Sequence, residues 1–405
     1  MHFLKLADFK TSLRISEMKY YIIAGEASGD LHGSNLIREI KKLDQAASIR
    51  CWGGDMMQQA GGELVKHYRD LAFMGFIEVV KNLKTIFRNL KFCKEDILQY
   101  KPDVLILIDY PGFNLRIAKW AKEQKLKVIY YISPQVWAWK ENRVKMMKEC
   151  IDKMLVILPF EKEYFKNKWN WEVEYVGHPL VNVVNDYKKA NSENWILIAE
   201  YSAGYNSDKK YKGRIALLPG SRKQEISMKL PIMTRVADMF PDYEFLIAKA
   251  PGVDNDFYQS FSVNHSNVGF VRDQTYQLLM LSSAALVTSG TATLETAIFD
   301  VPEVVCYKGS SISYEIAKRV IKVKYISLVN LIMDKLVVKE LIQHDLTPEN
   351  LYRELNNILN NDTRIAELKK DYSDLKHLLS QGGNASAKAA KSIVEFITHS
   401  SIGES

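Results

Sequence analysis

A short apolar run, a turn of small residues and a resumption at helical spacing recur along this chain. The sharpest instance is Ala284–Glu295, AALVTSGTATLE. Ala285, Leu286 and Val287 read as a buried strand, and Thr293, Leu294, Ala297 and Ile298 continue at helical spacing, so Ser289 to Ala292 form the turn between them. Such a turn points backbone N–H groups at an anion. Gly290 permits close approach, the hydroxyls of Ser289 and Thr291 add donors, and the helix dipole favours negative charge at its N-terminus. Glu295, about one turn in, is placed to accept ribose hydroxyls. An ordinary strand-to-helix turn capped by Thr291 fits the same residues, so the remainder of the chain has to decide.

The same unit opens the chain at YYIIAGEASGDLHGSNLIREI, where the turn carries Gly25, Glu26, Ser28, Gly29 and Asp30 ahead of an amphipathic helix. This turn is neither GxGxxG nor a Walker loop, so it does not specify a dinucleotide or a nucleoside triphosphate. The strongest strand is VLILIDYPGFN, whose unbroken apolar run suits a central parallel strand buried on both faces. It ends in Asp109, and the next helix is predicted to start near Asn114. Ligands of open α/β sheets sit beyond the carboxyl ends of strands, which puts Asp109 in a cleft. KVIYYISPQVWAW follows as a further strand, with Trp137 and Trp139 read as packing residues in preference to sugar-stacking ones. MLVILPFEKEYF and VEYVGHPL add two more, and Gly177-His178-Pro179 marks a crossover to a second domain, with His178 at the mouth of the cleft.

Residues Asn185 to Lys212 turn polar and read as an irregular linker or insertion. A second α/β run then begins with RIALLPGSRKQEI, continues through EFLIAKA, NVGFV and AALVTSG, and is predicted to end in the strands EVVCY and YISLVN. From Thr347 to Phe396 the pattern is helical, broken at Gln381 to Asn384. At 405 residues the chain exceeds the size of one hydrophobic core, in agreement with two domains. Its four dispersed cysteines have neither metal spacing nor a disulfide framework and fit a reducing cytoplasm. A formal charge of +7 suits an anionic substrate or lipid surface, with no arm for nucleic acid. No apolar run approaches the ~18 residues of a membrane span. Met1 to Glu17 lacks the apolar centre of a signal peptide and reads as an extension or an arm. Met74 to Lys94 alternates apolar and basic residues at helical spacing, which allows inward packing or a membrane-surface contact.

Two doubly wound halves facing one cleft, with anion-binding turns concentrated in the second, describe a nucleotide-sugar enzyme of GT-B type. GEASGD at Gly25, MGFIEV at Met74, IDYPGFN at Ile108, SPQVWAW at Ser133, LPFEKEYF at Leu158, VGHPL at Val176, LLPGSRKQEI at Leu217, SGTATLE at Ser289 and SLVNLI at Ser327 together resemble the lipid-A-disaccharide synthases, in that family's order from about Lys19 to the C-terminus. The resemblance implies an α/β chain of two Rossmann-like domains with a helical C-terminus. Residues 1–18 lie outside it, 19–185 form an acceptor domain, 186–370 a UDP-sugar domain, and 371–405 a helical segment that packs back on the first domain or on a partner subunit.

The resemblance further implies an inverting transferase that joins UDP-2,3-diacylglucosamine to 2,3-diacylglucosamine 1-phosphate and releases UDP. It also implies work on the cytoplasmic face of an anionic inner membrane; the sequence has no clustered Asp/Glu/His metal site, so no cofactor or metal is expected, and a homodimer is the candidate assembly. Donor-site candidates are Arg222, Ser289, Gly290, Thr291, Ala292, Glu295, Asn330 and Glu340; acceptor-site candidates are Gly25, Glu26, Ser28, Gly29, Asp30, Met74 and Asn114. Inverting transfer needs a base for the attacking hydroxyl and neutralisation of the departing diphosphate. Asp109 is the expected base, with His32 and His178 as competitors, and Arg222 offers a planar fork for phosphate. The chain departs from the family's IDxPDFN string at Gly112, which leaves Asp109 as the one acid there, and Asn191 to Lys212 has no counterpart in the pattern. A UDP-sugar epimerase and a non-catalytic nucleotide-sugar sensor are the rival readings.

Overall fold

The computed structural model describes residues 18–71, 83–191, 197–201, 205, 209–251, 253–262, 264–310, 314–315 and 323–402. Met1 to Glu17 and the MGFIEV string with Met74 lie outside them.

The first half contributes β1 (Lys19–Ala24), β2 (Ser48–Gly53), β3 (Glu63–His67), β4 (Val104–Ile108), β5 (Val128–Tyr131), β6 (Lys153–Val156) and β7 (Glu174–Tyr175). They pair in parallel in the order β3-β2-β1-β4-β5-β6-β7. The apolar runs force this arrangement: every residue of β4 is buried, so the strand needs cover on both faces. Alternate residues enter different cores. Tyr20 and Ile22 of β1 join a core that runs on into the second half, whereas Tyr21 and Ile23 pack with Trp52 and Leu107 on the opposite face. The helix after β4 begins at Pro111, earlier than the expected start near Asn114, because proline suits the first helical position.

The second half contributes β8 (Ala199–Tyr201), β9 (Gly213–Leu218), β10 (Tyr243–Lys249), β11 (Val268–Arg272), β12 (Ala284–Thr288), β13 (Glu303–Tyr307) and β14 (Lys339–Ile342), in the order β14-β13-β12-β9-β10-β11-β8. All pairs are parallel except β8, which lies antiparallel on β11. Three expectations are corrected here. The supposed linker from Asn185 begins inside the helix Pro179–Ala190, and it contains the edge strand β8. YISLVN is not a strand: the Ser327 hydroxyl accepts from the Asn330 N–H (3.2 Å) and caps the helix Leu328–Met333. The last strand is instead β14, whose Lys339-Glu340 start is polar because it forms the sheet edge.

After the second sheet come the helices Pro348–Asn360, Asp362–Ser380 and Ala385–Ile402. The last of these packs on the helix Ala27–Leu43 of the first half through buried Ala389, Ala390, Ile393 and Ile397. Lys388 Nζ donates to the Tyr175 carbonyl (2.7 Å) and Ser392 Oγ to Glu174 (2.5 Å). The chain can turn into this position only because two backbones touch: a Cβ on Gly382 would lie 2.4 Å from the Gly177 Cα, itself at φ +94°. Gly382→Ala is therefore expected to lower stability by ~1–3 kcal/mol, the usual range for an overpacked contact. Denaturant unfolding checks it, and an unchanged midpoint would contradict the close approach.

Candidate functional site

Each sheet reverses its strand order once, between β1 and β4 and between β9 and β12. At such a point the helices leave neighbouring strands in opposite directions and a crevice opens.

In the first crevice Asp109 and Tyr110 both adopt left-handed backbone, at φ +42° and +48°. Non-glycine residues enter that region at a cost that surrounding contacts must offset. The buried Asn114 provides them, its Nδ2 donating to the carbonyls of Ile108 (3.1 Å) and Asp109 (2.8 Å), while the Tyr130 hydroxyl donates to the Asp109 carbonyl (2.5 Å). Gly25 makes room opposite, since a Cβ there would meet the Tyr110 ring at 2.2 Å. The Asp109 carboxyl is thereby held half-buried at the cavity wall, and its desolvation with the nearby Glu26 charge raises its pKa to about 7. It lines a cavity of about 480 Å³ together with Ser28, Gly29, His32, Glu161 and His178. Burial lowers the two imidazoles to about 4 and about 3, so both are neutral at pH 7.

The other acceptor-site candidates fall elsewhere. Asp30 accepts from the N–H groups of Gly54 (2.8 Å), Met56 (3.2 Å) and Met57 (3.0 Å), and so serves the start of the helix Asp55–Gln59. Gly25 and Asn114 act on Tyr110 and Asp109, as described, and Met74 lies outside the described residues. Glu161 was not a sequence candidate. It is fully buried on the cavity wall, accepts from Leu158 N–H (3.0 Å) and Trp137 Nε1 (3.3 Å), and burial raises it to about 8. Trp137 thus packs as expected, whereas Trp139 stands 44% exposed on the cavity wall.

In the second crevice Gly220 (φ +122°) and Gly290 (φ +142°) hold backbone that L-side chains rarely adopt. Around them a cavity of about 360 Å³ is lined by Ser221, Arg222, Glu225, Ser289, Ala292 and neighbours. No atom stands within 4 Å of where a Gly290 Cβ would sit, so a ligand can reach the backbone and the start of the helix Thr291–Ile298. Arg222 pairs with Glu225 (3.1 Å), and its charge also lowers Glu26 on the other side of the cleft against the raising effect of burial. Lys229, 3% exposed, hydrogen-bonds the Thr288 hydroxyl beneath the turn.

Ser289, Asn330 and Glu340 are committed internally. The Ser289 hydroxyl donates to the Ile326 carbonyl (2.7 Å), Glu340 accepts from the N–H groups of Ile326 (3.1 Å) and Ser327 (2.9 Å), and Asn330 bonds Glu340 (2.9 Å) and the Val337 and Val338 backbone. The network fixes the turn from behind. Glu295 is half-buried and accepts from the Tyr276 hydroxyl (2.9 Å). With Thr291 it lines both cavities, which makes the two crevices one cleft.

Two doubly wound sheets meeting at such a cleft define the GT-B architecture. Solved structures share it over most of their length. A UDP-GlcNAc 2-epimerase from Neisseria meningitidis bound to UDP-GlcNAc superposes with a TM-score of 0.62 at 13% identity, covering 93% of this chain and 100% of its own. The glycotransferase of kitacinnamycin gives 0.60 at 12%, covering 94% and 99%. At these identities the likeness speaks for the fold alone. The family model described as lipid-A-disaccharide synthetase matches residues 20–396, and the chain belongs to that family. The lipid-A-disaccharide synthase of Geobacter metallireducens is 36% identical over 93% of this chain and 96% of its own, and that of Syntrophus aciditrophicus 37% over 92% and 96%. The chain is thus a glycosyltransferase of lipid A biosynthesis, and the epimerase reading gains no comparable support.

The raised Asp109 has a consequence for stability. Its folded pKa exceeds the ordinary carboxylate value, so the folded state is favoured at low pH and that advantage is lost as pH rises through about 7. Asp109→Asn is accordingly expected to be more stable than the parent at pH 8, with the difference shrinking towards pH 4. Denaturant midpoints across that range check it, and a difference independent of pH would contradict the raised carboxyl.

Proposed function

We propose that the chain moves a diacylated glucosamine from UDP to the hydroxyl of a second diacylglucosamine that carries a 1-phosphate, with inversion at the anomeric carbon. The observation that carries this reading is the shared wall of Thr291 and Glu295, which opens the phosphate-binding turn and the Asp109 carboxyl onto one cleft. Asp109, once ionised, takes the proton of the acceptor hydroxyl as that oxygen bonds to the anomeric carbon. The bond from that carbon to the diphosphate breaks, and UDP leaves with the electron pair. Its developing charge meets the Arg222 fork and the N–H groups at the start of the helix Thr291–Ile298, with the buried Lys229 below. Ser289, Asn330 and Glu340 act as positioning residues for that turn, and Asn114 for Asp109.

Work at an anionic membrane surface, at the cytoplasmic face, fits the same reading. The helix Leu83–Tyr100 buries Leu90, Cys93 and Ile97 yet exposes Phe87 (65%) and Leu98 (49%). These two line a groove with Lys91, Lys94, Glu95, Arg116 and Trp120, so apolar side chains sit among mostly basic ones. No helix among the described residues is long and apolar enough to cross a membrane.

Two outcomes are expected. Asp109→Asn should lose ~10²–10⁴-fold in turnover while keeping UDP affinity, whereas Arg222→Ala should lose UDP affinity. Near-full activity in Asp109→Asn, with a dead His32→Ala or His178→Ala variant, would move the base to an imidazole. In vesicle flotation the protein should bind anionic membranes at low salt and release at high salt, since each lysine near the surface contributes about 1 kcal/mol. No binding at either salt would reduce the helix Leu83–Tyr100 to a packing element.

A further inference from the structure

The segment after β5 follows the rim of the cavity that holds Asp109 and ends at the helix Arg143–Cys150. Two cations there share one indole. Lys140 Nζ lies 4.2 Å from the Trp139 ring centroid and the Arg143 guanidinium carbon 6.0 Å from it. Stacking on an exposed ring is weak, and like charges brought together offset part of it. Lys140 registers the crowding, since burial and the Arg143 charge lower its pKa. The carboxylate between them does not relieve it, because Glu141 is directed to the Tyr164 hydroxyl (2.6 Å) and Lys168 (2.6 Å). Among the described residues neither Lys140 nor Arg143 forms an ion pair with a carboxylate. Two crowded cations thus share an exposed indole that itself lines the cavity holding the Asp109 carboxyl.

We propose that Lys140, Arg143 and Trp139 form the subsite for the phosphate monoester of the acceptor, separate from the diphosphate site around Arg222. The proposal rests on the transferase reading above. The guanidinium supplies two parallel donors and the ammonium a compact charge, while the indole lies against the apolar face of the sugar ring. Anchoring the phosphate at the rim leaves the far side of the sugar directed inward, where Asp109 receives the hydroxyl proton. The headgroup of a membrane phospholipid carries similar phosphate chemistry, so the assay has to separate the two sources.

The test uses the full chain in neutral detergent micelles, with the phosphorylated acceptor and with the same acceptor lacking its phosphate. The parent should prefer the phosphorylated acceptor in kcat/KM. Lys140→Ala and Arg143→Ala should each cut that preference by about 10- to 100-fold, as expected for a lost charge-assisted contact. Arg143→Lys should restore part of it. Calorimetry with soluble glucosamine 1-phosphate supplies a readout independent of turnover, and the double variant should no longer bind it. An unchanged preference, or equal glucosamine 1-phosphate binding in parent and double variant, overturns the subsite. So does a rise in KM confined to the UDP-sugar, or a loss seen on anionic vesicles and absent in neutral micelles, which would assign the cations to a lipid headgroup. A parent that forms no disaccharide while the double variant alone fails to bind glucosamine 1-phosphate would instead remove the transferase reading and leave the anion subsite standing.

Discussion

Two sheets, parallel apart from the edge strand β8 and each wound outward from a switch point, leave one place per sheet where no helix can cover the strand ends. The two cavities that Thr291 and Glu295 join open beside those places. The reversal between β1 and β4 presents Gly25 and Asp109, and that between β9 and β12 presents Gly220 and Gly290. Strand ends and helix starts there leave backbone groups without regular partners, so the chain holds them with special conformations and buried side chains. Asn114 and Tyr130 grip the Asp109 carbonyl in one crevice, and Ser289, Asn330 and Glu340 brace the glycine turn in the other. The C-terminal helix returns to the first half, and Thr291 and Glu295 join the two cavities.

The protonation states follow from the same burial. A carboxyl raised to about 7 stands beside two imidazoles held well below their ordinary range, so both rings are neutral at pH 7. Glu26 links the two sides, since it raises Asp109 and feels Arg222.

What was legible in the sequence was local and periodic. The buried strands β1, β4, β9 and β12 and the turns after them declare themselves through apolar runs that end in small residues, and Asp109 follows from its place at the end of β4. Elements set by edges and caps were not legible. β8 and β14 lie at the edge of a sheet and carry polar residues, and Ser327 turns an apolar stretch into a short helix. Residue type also does not disclose direction: Asp30, Asn330 and Glu340 look like ligand groups, yet their side chains are spent on backbone N–H and carbonyl groups. Glu161 escaped because an acid in the first turn of a helix ordinarily just complements the dipole; its burial comes from packing under Trp137.

The central claim is that one cleft brings a UDP-linked sugar within reach of a hydroxyl activated by Asp109. Incubating the chain with UDP-2,3-diacylglucosamine and 2,3-diacylglucosamine 1-phosphate, and resolving the products by mass spectrometry, tests it most directly. The expected result is a β-linked disaccharide 1-phosphate and UDP in equal amounts. A 2-epimerised UDP-sugar, or UDP released without any disaccharide, would contradict it.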